Sequence, residues 1–228
     1  MKEKKCCLLI GNTRWHWALE NNNSWSFTHT QPSLSNLKSD LFSICKWAAV
    51  GPVPKNHFLT SSTQLKITEV PLLKLPLWLG IDRALAGWQA FQKAKAKNMH
   101  SNGLLIADAG TILSLTKITS TGEFDGGQLI PGLRLQQSAM ANGTENLNQI
   151  TQTNIPPEEF PMGTEEAMIK GSLNSLLGTL LITQREEKIP IWLCGGDSEL
   201  LLEHLQALEI DVNHCPNLVL EGMINLIN

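Results

Sequence analysis

At 228 residues the chain is long enough for one large or two small domains with a sizeable core. Hydrophobic residues make up 42% and charged residues 17%, below the roughly 25% charge usual for globular domains, which leaves apolar surface for a subunit interface; the net charge of −3 and pI near 6.1 speak against a nucleic-acid partner. No apolar run reaches the roughly 18 residues of a membrane span, and Met1–Lys5 leads into a short apolar stretch rather than a signal peptide, so the chain reads as soluble and cytoplasmic.

Residues 5–10, 13–20 and 24–30 are predicted strands, with Gly11-Asn12-Thr13 as the first corner and Asn21-Asn22-Asn23 as the second. Leu34, Leu37, Leu41, Ile44 and Cys45 recur at helical spacing and predict a helix over 33–46. Trp47–Val50 reads as a buried strand closed by Gly51-Pro52-Val53-Pro54, followed by a short helix at 55–60 and a strand at 65–70. Pro71–Leu79 is an apolar, proline-interrupted loop. Gly80-Ile81-Asp82-Arg83 then opens a helix with Leu85, Trp88 and Phe91 on one face, and Lys93, Lys95 and Lys97 suit the negative end of its dipole.

The segments 104–108, 111–118 and 123–130 repeat the opening meander, turning at Thr121-Gly122. Pro131 and Gly132 open a helix through Met140, and Asn142–Pro161 is a polar surface loop able to close over a site. Thr164 is predicted to cap a helix with Glu165 and Glu166 in its first turn and Leu173, Leu176, Leu177, Leu180 and Leu181 on its core face, running to about Gln184. A strand at 189–194, a turn at Gly195-Gly196-Asp197, a helix at 198–207, a strand near 210–213 and a helix near 217–226 complete the chain.

Two corners share one chemistry. Leu104–Ala107 runs into Asp108-Ala109-Gly110-Thr111, and Leu8-Leu9-Ile10 runs into Gly11-Asn12-Thr13-Arg14-Trp15-His16, each a buried strand that turns at glycine and continues as a strand. Glycine lets anionic oxygens approach backbone N–H groups, and a carboxylate at such a corner suits a cation or its water shell. Occurring once in each half, the pair reads as an internal repeat of a phosphate-cradling hairpin. Other constellations are weak. The six histidines are dispersed, neither G-x-x-x-x-G-K-[ST] nor G-x-G-x-x-G occurs, and the tryptophans read as core. Cys6, Cys7, Cys45, Cys194 and Cys215 are odd in number without C-x-x-C spacing, as expected of reduced thiols.

Gly11-Asn12-Thr13, Gly80-Ile81-Asp82-Arg83, Asp108-Ala109-Gly110-Thr111, Gly126-Gly127-Gln128-Leu129-Ile130-Pro131-Gly132 and Cys194-Gly195-Gly196 resemble, in order and spacing, the motifs of type III pantothenate kinases across nearly the whole chain. The resemblance implies an α/β fold of two ribonuclease-H-like lobes of the actin, acetate kinase and Hsp70 kind. Residues 1–81 and 103–228 would form the lobes, 82–102 the connecting helix, with the nucleotide in an interlobe cleft and a homodimer as assembly. It implies ATP-dependent phosphorylation of pantothenate, the first step towards coenzyme A, with magnesium and a monovalent cation, potassium or ammonium.

Carried over residue by residue, the resemblance makes Asp82 the general base and gives substrate contacts to Gly80, Ile81, Asp82, Arg83 and Thr164. Leu9, Ile10, Gly11, Asn12, Thr13, Arg14, Trp15 and His16 together with Thr111, Gly195 and Gly196 would form the ATP site, with Gly11, Asn12, Thr13 and Thr111 on the phosphates and Gly195 and Gly196 at the adenosine, and Asp108 would hold the cation. Each has a plain structural alternative: a helix N-cap for Asp82 and Thr164, a surface salt bridge for Arg83, a hairpin corner for Asp108 and Thr111, and a tight turn for the glycines. Two departures stand out. Leu9 occupies the position where the family carries an aspartate, and the chain has no tyrosine, so Trp78 or a neighbour would line the pocket and Phe124 stands where relatives often have tyrosine. Leu9 also keeps a second reading open, a non-catalytic regulatory or binding homologue like the Bvg accessory factors.

Overall fold

The computed structural model describes residues 4–22, 24–37, 42–150 and 154–227. In chain order its elements are β1 (Lys4–Ile10), β2 (Trp15–Asn21), β3 (Ser24–Thr30), β4 (Phe42–Ala49), α1 (Ile81–Ala96), β5 (Leu104–Ala109), β6 (Ile112–Ile118), β7 (Phe124–Pro131), α2 (Leu133–Gly143), α3 (Thr164–Glu187), β8 (Ile191–Cys194), α4 (Ser198–Ala207), β9 (Val212–His214) and α5 (Leu218–Asn225). They form a four-stranded sheet of order β3-β2-β1-β4 and a five-stranded sheet of order β7-β6-β5-β8-β9. Two compact units result: 1–104 with 116–126 and 217–228, and 105–115 with 127–216.

In the first unit β1 is central, antiparallel to β2 and parallel to β4. A strand covered on both faces reads as a continuous apolar run, and Cys6–Ile10 does so. One face carries Cys6, Leu8 and Ile10 against Trp15, Trp17, Leu37 and Trp47. The Trp17 ring makes edge contacts with Trp15 and Phe42 at 6.1 and 5.9 Å. Helices α1 and α5 pack on each other and on strands of this sheet, and Lys93 in the last turn of α1 bridges to Glu221 of α5 at 2.8 Å.

The second unit is built on the leucines of α3. Leu173, Leu176, Leu177 and Leu180 lie against Leu105, Ala107, Leu113, Leu115 and Leu193, with Leu201 and Leu205 of α4 closing the core. Their i, i+3, i+4, i+7 spacing puts all four on one helix face, as the sequence predicts. Glu159 of the long loop after α2 is tied to α3 by Lys170 at 3.0 Å and Asn174 at 3.0 Å; residues 151–153 of that loop lie outside the described residues.

Four expectations are corrected. The helix predicted over 33–46 is a single 3-10 turn at Leu34–Leu37 and then β4; Leu41 lies outside the described residues. Ile44 and Cys45 fit a strand as well as a helix, and pairing with β1 decides for the strand. At 55–60 an Asn56 side chain accepts the Phe58 amide at 2.9 Å, so the segment turns instead of coiling. Between 65 and 70 the Glu69 carboxylate accepts the Lys66 amide at 2.7 Å and closes a 3-10 turn at Ile67–Glu69. Finally, Gly163 caps α3 and makes no side-chain cap bond, so Thr164 is the first helical residue.

Candidate functional site

The predicted site residues gather in three places, two in the first unit and one in the second. The Gly80-Ile81-Asp82-Arg83 motif opens α1, with Gly80 as N-cap and Asp82 inside the first turn. The N-cap alternative for Asp82 is therefore not what the structure shows. Its Oδ1 accepts the Arg83 amide at 2.8 Å, and a β-carbon on Gly80 would stand 2.6 Å from that same oxygen. Glycine at position 80 thus gives the carboxylate its room. Burial pushes the Asp82 carboxyl above the ordinary aspartate range, against the opposing pull of the Arg83 amide and guanidinium. A carboxylate so placed is a better proton acceptor than one in water.

Arg83 is fixed from a distant strand. Its Nε donates to Thr116 Oγ1 at 3.0 Å, and Thr116 in β6 is 1% exposed. Sequence reasoning missed Thr116; in β6, Ile112–Ile118, it stands among Ser114 and Lys117 as one of three polar residues, so the sequence held no distinct signal for it. The motif also borders an open cavity of about 410 Å³ lined by Val50, Leu65, Lys66, Leu79, Gly80 and Ile81, within the range of small-molecule sites. Trp78 and Phe124, the two positions singled out by the missing tyrosine, meet edge to face at 6.3 Å, with Trp78 76% exposed.

The second place is the β1–β2 corner. Gly11 N donates to Arg14 O at 3.0 Å, and the Val50 and Gly51 amides donate to Ile10 O at 2.9 and 3.1 Å. Gly51, which sequence reasoning treated only as a turn residue, lies so close that a β-carbon there would overlap the Gly11 carbonyl and stand 2.8 Å from Asn12 N. Asn12, Thr13 and Arg14 are exposed at the tip. The Ile10 and Trp15 side chains are committed to the core. Leu9 is 6% exposed, paired across the sheet with His16 and Ala48, and supplies no polar atom. His16 shares an Nδ1···Nδ1 hydrogen bond of 2.8 Å with His29. Burial, then His29 and Arg14, pull the His16 pKa down to about 4, so both the imidazole and the leucine beside it are uncharged at neutral pH.

The third place, in the second unit, is the Asp108 corner. Gly110 N donates to Ile112 O at 3.2 Å and Gly132 N to Thr111 O at 2.9 Å. Parallel pairing of β5 with β8 sets Asp108 opposite Cys194, so the next residue, Gly195, falls beneath the carboxylate. Gly195 has φ +93°. A β-carbon on it would overlap Asp108 Oδ1 and Ala109 O and lie 2.7 Å from Ala109 N, so both conformation and space demand glycine. Gly196 is open to its surroundings, and Thr111 is exposed. The structure joins Asp108, Thr111 and Gly195 at one corner. Thr164 is exposed at the start of α3, and its hydroxyl makes no hydrogen bond among the described residues.

The family model described as type III pantothenate kinase matches residues 55–183. A type III pantothenate kinase of Synechococcus sp. (strain JA-3-3Ab) is 32% identical over 97% of this chain and 91% of its own. The match to that of Thermosynechococcus vestitus, 34% identical, takes in 72% of this chain and 64% of the relative. Among solved structures, the activator of the 2-hydroxyisocaproyl-CoA dehydratase from Clostridium difficile, with bound ADPNP, is 10% identical over 98% of this chain and 92% of its own at a TM-score of 0.55. The fold is that of the actin-like ATPases and sugar kinases, as the two sheets with their repeated corners lead one to expect.

Proposed function

Since the chain belongs to the type III pantothenate kinase family, we propose that it transfers the γ-phosphoryl group of ATP to the terminal hydroxyl of pantothenate, the opening step of coenzyme A synthesis. The observation that carries this reading is the first turn of α1. Asp82 is held there with raised proton affinity, beside an arginine pinned by a buried threonine and next to a cavity of small-molecule size. In this account the pantothenate hydroxyl gives its proton to Asp82 as its oxygen attacks the γ-phosphorus and ADP departs. Arg83 offers a planar fork of donors to an anionic group of the substrate. At the glycine corners the Gly11 and Gly110 amides close the turns on Arg14 O and Ile112 O, so the phosphates would be met by the neighbouring backbone and the Thr13 and Thr111 hydroxyls.

The donor sets support a reading of which ions would fit. Among the described residues no group of three His, Cys, Asp or Glu side chains could hold a metal, and Leu9 has no donor atom. Magnesium therefore fits as part of the nucleotide complex, carried mainly by phosphate oxygens. At the other corner Asp108 Oδ1 and Ala109 O converge over Gly195, hard oxygen donors of the kind that suits potassium. A bound cation there would supply positive charge for the phosphates. The reading includes a cytoplasmic homodimer, for which the exposed Leu77, Phe160 and Met162 offer apolar surface.

Leu9 supports a second reading, a homologue that keeps the fold and binds ligand without turnover. A coupled assay of ADP release separates the two. Kinase activity predicts release that requires pantothenate and rises with potassium or ammonium. Nucleotide binding without pantothenate-dependent release would favour the second reading.

A further inference from the structure

Three of the five cysteines meet where β1 and β4 pair, in a part of the first unit that phosphoryl transfer does not use. The parallel register shifts between Cys6, opposite Ile44, and Cys7, opposite Lys46. Cys45 is thus the extra residue of a bulge, left without a ladder partner and set against both cysteines of β1. As a thiol it donates to the Cys6 carbonyl at 3.1 Å, and, one residue on from Ile44, which packs with Cys6 against the tryptophans, it falls on the face of Cys7. Strand alternation separates the two candidates for its partner. Cys6 points with Leu8 and Ile10 into the tryptophan core, whereas the Cys7 side chain is on the opposite face.

From this geometry we propose that Cys45 and Cys7 form a peroxide-sensitive thiol pair that closes to a reversible disulfide across the β1–β4 bulge. Adjacent strands lie about 4.8 Å apart, inside the Cα separation of roughly 4.4–6.8 Å that a disulfide spans. The three thiols are unequal. The interaction with Cys7 and the backbone amides of Cys6, Cys45 and Lys46 draw the Cys45 pKa down to about 7 against the effect of its partial burial. Burial pushes Cys6 up to about 12, and the interaction with Cys45 together with burial pushes Cys7 up as well. Cys45 is also partly exposed where the other two are buried, so it combines thiolate character with access.

The oxidant is hydrogen peroxide or an organic hydroperoxide. The Cys45 thiolate attacks one peroxide oxygen; the S–O bond forms, the O–O bond breaks, and the departing oxygen takes up a proton. The Cys7 sulfur then attacks the Cys45 sulfenic sulfur. The S–S bond forms, the S–O bond breaks, and hydroxide leaves with the Cys7 proton as water. Two thiols lose two electrons in all, and one peroxide is reduced by two.

The test uses the reduced full-length protein, treated with a few equivalents of hydrogen peroxide at pH 7, blocked with iodoacetamide, digested without reductant and read by fragmenting mass spectrometry. The expected product joins the Cys7 and Cys45 peptides with a loss of about 2 Da and is undone by dithiothreitol. Without peroxide, Cys45 is expected to alkylate about ten-fold faster than Cys215. A Cys7→Ala variant should stop at the Cys45 sulfenic acid and take up dimedone. A bond through Cys6 or Cys215 overturns the proposal, and so does an unmodified Cys45 under conditions that oxidise Cys215. Wild-type peptides alone decide the matter, so a variant that fails to fold does not blunt the test.

Discussion

Replacing Thr116 by valine would measure how far Arg83 depends on its anchor. The two side chains have nearly the same shape, so the packing of a residue 1% exposed changes little, while the acceptor for the 3.0 Å bond from Arg83 Nε disappears. A hydrogen bond to a charged group contributes about 1.5–3 kcal/mol net, equivalent to roughly 10- to 150-fold in an equilibrium constant. Part of that loss will appear as stability, because a half-buried guanidinium loses a partner. If Arg83 grips the substrate in ground and transition states alike, the remainder will appear in KM. The expected outcome is a KM for pantothenate raised about 10- to 50-fold, with kcat and the KM for ATP within about twofold. Thr116→Ser, which keeps the oxygen, should restore most of the loss. The assay is coupled ADP release at varied pantothenate, with a urea unfolding curve for each variant. Wild-type KM in the valine variant, from an enzyme that does turn over pantothenate, would refute the assignment of Arg83 without touching that of Asp82.

Asp82→Asn should lower kcat by about 10²- to 10⁴-fold and leave nucleotide binding by calorimetry intact; an unchanged kcat removes the base. Because burial raises the Asp82 pKa, the base works above that raised value, and wild-type activity should fall at a higher pH than an ordinary aspartate dictates. A pH–rate profile locates that acid limb, and one that tracks an unperturbed aspartate contradicts the burial argument. Gly195→Ala combines a left-handed φ of +93° with overlap on the Asp108–Ala109 backbone, and should cost about 2–5 kcal/mol in urea unfolding; a loss under about 0.5 kcal/mol would mean the turn relaxes. His16 has a folded pKa depressed to about 4 from 6.5, so between those values the unfolded chain binds the extra proton. Stability should therefore decline as pH falls from about 6.5 to 4, by about 2–3 kcal/mol at most from this group, and His16→Gln should flatten the decline in urea midpoints. Leu9→Asp should lower the KM for magnesium ATP while destabilising the free protein by about 2–4 kcal/mol; unaltered nucleotide kinetics would argue against any role for that position.

How much of this was legible in the residues depends on the range of the forces involved. The two glycine-cornered meanders and the α3 leucine face follow from period-two and period-3.6 patterns, which are local, and the structure carries all of them. The strand at 42–46 was hidden because Ile44 and Cys45 satisfy both periods, and only pairing with a strand some forty residues earlier decides between them. The packing of α5 on α1 has no periodic signature, since it depends on where a helix returns and not on what it contains. Within the candidate site, the motif residues could be named from sequence, but Gly51 under Gly11 and Thr116 under Arg83 are relations across chain crossings. Side-chain neighbours of that kind emerge only from the fold.

The repeat also explains what kind of change Leu9 is. Each half has a strand, a glycine corner, a returning strand and, after the neighbouring parallel strand, a glycine pressed against the corner: Gly51 in one case and Gly195 in the other. The second copy keeps a carboxylate at its corner and the first does not. A carboxylate at position 9 would sit opposite His16 in the antiparallel pair and would draw that imidazole towards its charged form. With leucine there, His16 and His29 share a neutral hydrogen bond under burial. Leucine and an uncharged histidine pair are thus one consistent solution, in which no ion is buried without a partner. In the proposed chemistry the first corner would meet phosphate through backbone amides, Thr13 and the exposed Arg14, and negative charge would enter that unit's part of it only at Asp82. In the proposed reading the missing carboxylate would move charge neutralisation onto the nucleotide's own metal and the Asp108 corner, and would leave the proton-accepting step at Asp82 where it was.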